Sequence, residues 1–193
     1  AHKVCQVAIA SDIAAGPCSA AQETRQRYQL QDRMEIRQAP GLQGLNPGEV
    51  QAVVIAGMGG ATIRTILEEC PEITNTVATF VLQPMNAASL VRKWAVANGY
   101  RIAEETLCRE QGRYYVIIRL AAGQESTVLS DFEAEIGPCI LHDKPPLWQE
   151  YLRQKAVYFQ KVCTQMERSR TAFHSEKYQL LQSYCRRIEE VVS

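Results

Sequence analysis

Neither sign of charge dominates this 193-residue chain, in which 21 lysines and arginines stand against 21 aspartates and glutamates. No overall field draws it to nucleic acid or to an anionic membrane, so any such contact must rest on a local patch. Also missing is a charge-free apolar run near the ~18 residues a membrane helix needs. The start, "AHKVCQVAIASDIAAGP", lacks the basic-then-apolar layout of a signal peptide. A soluble, cytoplasmic protein with no membrane partner is expected. Histidine is scarce, at three, and neither His142 nor His174 has an acid at a motif spacing, so neither is given a catalytic role. The seven cysteines (Cys5, Cys18, Cys70, Cys108, Cys139, Cys163 and Cys185) are odd in number and scattered, with no Cys-x-x-Cys. That argues against a disulfide framework or zinc site; reduced thiols acting as small hydrophobes are expected, and no metal.

What is present is an alternation of strand and helix patterns. "VCQVAIA" (Val4 to Ala10) reads as a strand, "GPCSAAQETRQRYQLQ" as a helix with proline in its first turn, and "RMEIRQ" (Arg33 to Gln38) as a second strand. "VQAVVIA" (Val50 to Ala56) is apolar enough to be buried on both faces. A helix follows from Ala61, with Ile63, Ile66 and Leu67 on one side. "TVATFVLQP" is a fourth strand, and "AASLVRKWAVANG" a helix stopped by Asn98-Gly99. "YRIAEETLCRE" and "RYYVIIRLAAG" then form a hairpin about a Gln-Gly turn. This predicts an α/β fold with a mostly parallel sheet and one antiparallel edge strand. After Gly123 the pattern is mixed up to Pro145-Pro146, then helical to the end. One stripe carries Trp148, Leu152, Lys155, Phe159, Val162 and Met166, a second Phe173, Leu180, Tyr184, Ile188 and Val191, with "RSRT" between. Two antiparallel helices are expected, and a domain boundary falls between residues 1–123 and 124–193.

The glycine cluster in "VVIAGMGGATIRTILEE" raises the question of chemistry. A dinucleotide fingerprint needs Gly-x-Gly-x-x-Gly. Gly57 and Gly59 fit, but Thr62 replaces the third glycine and no Lys-Ser/Thr pair makes a phosphate loop. Asp12, just past the first visible strand, stands where an α/β fold holds ribose hydroxyls with a carboxylate; a helix-capping or turn aspartate is the plainer reading. The strand carrying a true glycine loop would then precede Ala1, and a chain that opens on alanine rather than methionine is expected either to have been processed or to be missing what preceded it. Gly57-Met58-Gly59-Gly60 falls on the strand-end rim where ligands bind in open sheets, and Gln83-Pro84 ends the next strand there. "EQGRYY" sets Arg113 beside Tyr114 and Tyr115, a pattern able to hold phosphate and stack a base or simply to decorate a surface.

Taken together, "IAGMGGATIRTIL", "LQPMNAASLVRKWAVANGYRI", "EQGRYYVII" and "IGPCILHDKPPLWQEYL" resemble the bacterial tRNA (adenine-N1)-methyltransferases that modify adenosine 22, the TrmK family. The resemblance implies a Rossmann-like class I fold, S-adenosylmethionine as cofactor, tRNA as substrate and a C-terminal helical hairpin that helps dock it. It implies that Asp12, with Ile13, holds the cofactor ribose. Gly41 in "RQAPGL" would line its adenine, and Ala56, Gly57, Met58 and Gly59 would lie over the reactive methyl. Gln83, Pro84, Arg92, Arg113 and Tyr114 match positions near the substrate. Arg168, Arg170, Arg186 and Arg187 are the local cations available to tRNA, or equally a solvated helix face. No general base is demanded, because adenine N1 attacks with its own lone pair, and a monomer is expected. The sequence departs from the family in three places. The first strand and its acidic glycine loop are not seen, which would leave two strand edges unpaired. Ala39-Pro40-Gly41 stands for Gly-Asp-Gly, and Met85 for a common asparagine. Pro40 is the argument for a competing reading, a methyltransferase-like RNA-binding protein with weakened cofactor binding.

Overall fold

The computed structural model describes residues 5–123 and 128–193. Val4 of the expected first strand, and the residues immediately after the expected boundary at 123/124, lie outside the described residues. The chain opens with β1 (Ala8–Asp12), α1 (Ala15–Arg27) and β2 (Met34–Gln38). It continues through β3 (Ala52–Met58), α2 (Gly60–Glu69), the single turn α3 (Pro71–Thr74), β4 (Thr79–Pro84) and α4 (Ala88–Ala97). The hairpin is β5 (Tyr100–Glu110) and β6 (Arg113–Ala122). Two short helices, α5 (Asp131–Ile136) and α6 (Pro138–Asp143), lead to α7 (Trp148–Met166), the turn α8 (Arg170–Phe173) and α9 (Glu176–Val192).

The strands form two separate sheets. β1 and β2 pair in parallel, and a four-stranded sheet has the order β3-β4-β6-β5, with β3 and β4 parallel and β6 antiparallel to both its neighbours. The expected antiparallel edge strand is therefore corrected: β6 lies inside the sheet and β5 takes the edge. Their compositions explain the order. "VIIRL" in β6 suits a position flanked on both sides, whereas β5 carries Arg101, Glu104 and Arg109 on exposed positions that water at an edge can solvate. Gln111 and Gly112 close the hairpin with positive φ of 48° and 79°, the left-handed turn that matches strand twist.

One face of the larger sheet carries the core. Ile55, Phe80, Leu82, Tyr100, Ile102, Leu107, Val116, Ile118 and Leu120 are all buried there, against Ile63 and Leu67 of α2 and Val91, Trp94 and Ala95 of α4. Phe80, Trp94 and Tyr100 pack as a trio, and the Tyr100 hydroxyl donates to the Thr74 and Val77 carbonyls. On the other face Val54 is 71 % exposed.

The tail is an antiparallel helix pair, as expected: Phe159 meets Tyr184, and Glu167 accepts from the Tyr178 hydroxyl. Its buried stripe is shifted from the predicted one. Phe173 and Leu180 are each 41 % exposed, while Tyr178 and Cys185 are buried on α9 and Tyr151 and Cys163 on α7. Serines start the helices cleanly: Ser130 forms a capping box with Glu133, and Ser169 and Ser175 accept from Ala172 and Tyr178.

Candidate functional site

The glycine corner is stitched to the loop that follows β4. Gly57 donates its N–H to Gln83 Oε1 at 3.0 Å, Met85 N–H reaches Met58 O at 2.8 Å, and Gly60 N–H reaches Asn86 O at 3.0 Å and Oδ1 at 3.3 Å. Each glycine has its own reason to be there. Gly57 sits at φ +77°, with nothing within 4 Å of where a Cβ would lie, so its backbone is open to a ligand. Gly60 has no such room: a Cβ would collide with the Ala87 and Asn86 carbonyl oxygens. Gly59 faces the Asn86 amide, and Met58 and Met85 flank the corner half-exposed. Gln83 Nε2 points at Met85 Sδ, 3.5 Å away. Asn86 is a site residue that the sequence reading did not single out; its place directly after Gln83-Pro84-Met85 was the available signal.

Asp12 ends β1 and Ile13 follows it, 67 % exposed. Asp12 Oδ1 accepts the Ala14 N–H at 2.8 Å, the turn-capping role, and among the described residues no partner takes Oδ2. Ser11 donates to Ala39 O, and Gln38 to Ile13 O, tying the ends of β1 and β2 together. Gly41 adopts φ +53° against Ile66 of α2. Pro40 begins a turn closed by Gln43 N–H to Pro40 O. Arg37 holds this loop from behind through Gly44 O and an ion pair to Glu49. Its guanidinium, followed by the Asn46 N–H, keeps the Glu49 carboxyl down to about 2.

The hairpin overhangs the same rim. Leu82 of β4 pairs with Ile118, and the earlier residues of β6 pair with β5 alone. Tyr114 is four residues further out, about 13 Å at strand spacing. Arg113 is exposed, and Tyr114 lies between the Arg109 guanidinium, 5.5 Å from its ring, and Tyr151 of α7 at 6.2 Å.

Two predicted substrate residues are corrected. Arg92 is fully buried, and its guanidinium is bound to Glu105 and to the carbonyls of Ala134, Glu135 and Ile136. Pro84, at the end of β4, is buried on the same side as Phe80 and Leu82. Sequence alone does not distinguish an interior arginine from a rim arginine when both lie on a helix after a strand. Among the described residues no cluster of His, Cys, Asp or Glu is placed to hold a metal, and no helix is long and apolar enough to cross a membrane.

Comparison with known proteins bears on the family and fold of the chain. The TrmK profile, tRNA (adenine(22)-N(1))-methyltransferase, matches residues 1–190. The chain is 27 % identical over 186 residues to the Bacillus subtilis (strain 168) tRNA (adenine(22)-N(1))-methyltransferase, covering 94 % of this chain and 77 % of that protein. The crystal structure of B. subtilis TrmK superposes with a TM-score of 0.83 at 26 % identity, over 97 % of this chain and 82 % of that one. A Streptococcus pneumoniae putative tRNA (m1A22) methyltransferase in complex with S-adenosyl-L-methionine does so with a TM-score of 0.79 at 29 % identity, over 97 % and 82 %. Its fold is that of the Rossmann-like methyltransferases, and the chain belongs to the TrmK family of tRNA (adenine(22)-N(1))-methyltransferases.

Proposed function

We propose that the chain transfers a methyl group from S-adenosylmethionine to N1 of adenosine 22 in tRNA, in the cytoplasm and as a monomer. The single observation that carries the reading is the open glycine corner stitched to Gln83 and Asn86 at the carboxyl ends of two parallel strands. That rim is the ligand side of such sheets.

The residues present fit the cofactor. Asp12 has one carboxylate oxygen taken by Ala14 and the other available to hydroxyl donors such as a ribose diol. Gly57 leaves its backbone approachable, and Ala56 to Gly59 with Gly41 would line the ligand. When bound, S-adenosylmethionine supplies an electrophilic methyl on sulfonium sulfur, which the adenine N1 lone pair takes as the S–C bond breaks, without a general base.

The rest is positioning. Gln83 holds the Gly57 amide, so the corner keeps its shape while a base enters. Met58 and Met85 offer an adaptable apolar floor on either side of it. Adenine N1 lies on the pairing edge, so the nucleotide must be unpaired or turned out of its stack. Arg113 and Tyr114, out on the hairpin, are placed to meet the strand that delivers it, the arginine on phosphate and the tyrosine by stacking. Arg168 and Arg170 at the tail's turn, with Arg186 on α9, are exposed cations for the remainder of the tRNA. Arg187 is partly engaged, over the Phe132 ring at 4.0 Å.

The test is methyl transfer to tRNA transcripts carrying adenosine or guanosine at position 22, read by nucleoside mass spectrometry. N1-methyladenosine with the first and none with the second is expected. Methylation of both, or cofactor titration without binding, overturns the reading; the latter would favour the RNA-binding alternative.

A further inference from the structure

A fully buried ion pair lies away from the rim. Arg92 of α4 and Glu105 of β5 form an ion pair at 2.6 Å with both side chains fully enclosed. Each then serves a different helix end. Arg92 donates Nη1 to Ala134 O at 2.7 Å and Glu135 O at 3.2 Å, and Nη2 to Ile136 O at 3.2 Å, capping the last carbonyls of α5. Glu105 Oε2 accepts from Cys139 N–H at 3.0 Å and Ile140 N–H at 3.4 Å, capping the first turn of α6.

Two backbone features exist to make this possible. The β5–β6 ladder passes from Ile102 opposite Leu120 to Glu104 opposite Arg119, leaving Ala103 as an extra residue. This bulge reverses the alternation, so that Glu105 rather than Glu104 points inward; Glu104 pairs on the outside with Arg119. Between the two helix ends, Gly137 turns at φ +120°, where a Cβ would lie 2.5 Å from Glu105 Oε2 and 2.9 Å from Arg92 Nη2.

The short helix α5 is in turn the seat of the tail. Tyr151 of α7 donates to Ile136 O, Lys155 of α7 pairs with Glu135 at 2.7 Å, and Phe132 packs on Tyr184 of α9 beneath Arg187. Tyr151 also touches Tyr114 on the overhanging hairpin. One unbroken chain of contacts thus runs from the sheet through Arg92 and Glu105 to α7 and α9.

We propose that Arg92 and Glu105 are positioning residues that fix the direction in which α7 and α9 leave the sheet, so that tRNA held along the tail presents its adenosine to the Gly57–Gly59 corner. The proposal rests on the reading that the chain methylates tRNA. A loosened joint leaves each binding surface intact and spoils their alignment, and misplacement of about 1 Å costs on the order of 100-fold in rate.

The test compares Glu105→Gln, which keeps the shape but removes the charge, with Phe159→Leu, which weakens the α7–α9 contact and leaves Arg92 and Glu105 untouched. Nitroxide labels on unnatural amino acids at Glu69 and Thr171 report the tail-to-sheet distance, and single-turnover methylation at saturating tRNA reports alignment. E105Q is expected to broaden the distance distribution and to lower the single-turnover rate on the order of 100-fold, with tRNA half-saturation and cofactor affinity within about threefold of wild type. Phe159→Leu is expected to keep both rate and distribution. A distribution as narrow in E105Q as in wild type overturns the proposal, as does a rate loss in both variants that tracks their thermal stability. If the wild-type chain transfers no methyl, the functional reading falls, and the distance distribution alone then decides the joint.

Discussion

From Cys5 to Gly41 no described residue is fully enclosed, and α1 buries none of its 13 residues. From Leu42 onward α2 buries two side chains and α4, α7 and α9 at least three each in a shared core. The first region is held by hydrogen bonds and charge: the β1–β2 ladder, Ser11 to Ala39, Arg33 to the Cys5 and Gln6 carbonyls, and Arg37 with Glu35 and Glu49. The second is held by packing. An isolated 13-residue helix is marginal in water, so α1, with no buried residue of its own, depends on what it docks against. Both contribute to the candidate site, Asp12 and Gly41 from the loose part and the glycine corner from the firm one.

That contrast breaks most visibly at Arg92. Arg92→Ala leaves Glu105 charged, buried and unpaired, and should cost about 3–5 kcal/mol of global stability. A fall in urea midpoint with the amides of β3 to β6 exposed together is the expected result. A loss confined to α5 and α6 would show that the body is less unified than its packing implies. Next is Gly60→Ala, whose Cβ must push the Asn86–Ala87 carbonyls away. About 1–3 kcal/mol of overpacking strain is expected, and opening of the corner should abolish methyl transfer. Asp12→Ala is the opposite kind of change. Its global stability should stay within about 1 kcal/mol of wild type, the range for a lost turn cap, while calorimetry should lose the cofactor signal. An equal fall in stability and binding would erase the distinction between the two regions.

The elements of both regions are legible in the sequence, β1, α1 and β2 of the first included, and what is not legible lies in the second. The third strand, α2, β4, α4 and the hairpin follow from apolar runs bounded by Pro84, Asn98-Gly99 and Gln111-Gly112, because packing and turn conformation leave local signatures. The glycine corner is legible for the same reason. Three features are not. β6 crosses inside β5, a matter of sheet order that no local window reports. The bulge at Ala103 inverts which of two adjacent glutamates is interior, so the Arg92–Glu105 pair is invisible to periodicity. On α9 the stripe rotates from Leu180 to Tyr178 and Cys185, because Tyr178 reaches Glu167 across the helix pair and Cys185 sits over Ala156. Each depends on a partner far away in sequence.

The smallest predicted effect tests with one variable the clamp that joins the two regions, Arg37 of the first with Gly44 and Glu49 at the start of the second. Arg37 holds Glu49 down to about 2, from an ordinary 4.5, and lowers Glu35 as well. A carboxyl depressed in the folded protein contributes stability in full above its unfolded value and loses it as pH falls. The clamp should therefore be intact above about pH 4.5 and fade from there toward pH 2, freeing Gly44 and the turn at Pro40 from Arg37. Glu133 of the capping box on α5 is also lowered, chiefly by its bond to Ser130, but α5 keeps buried Phe132 and Ile136 when that carboxyl protonates. Amide exchange corrected for intrinsic rates should thus accelerate in residues 39–49 between pH 4.5 and 2 before it does in β3 or β4. The screened, exposed ion pairs of the loop yield to acid, whereas apolar burial does not depend on proton activity. Simultaneous acceleration in both would mean that charge, not packing, holds the body.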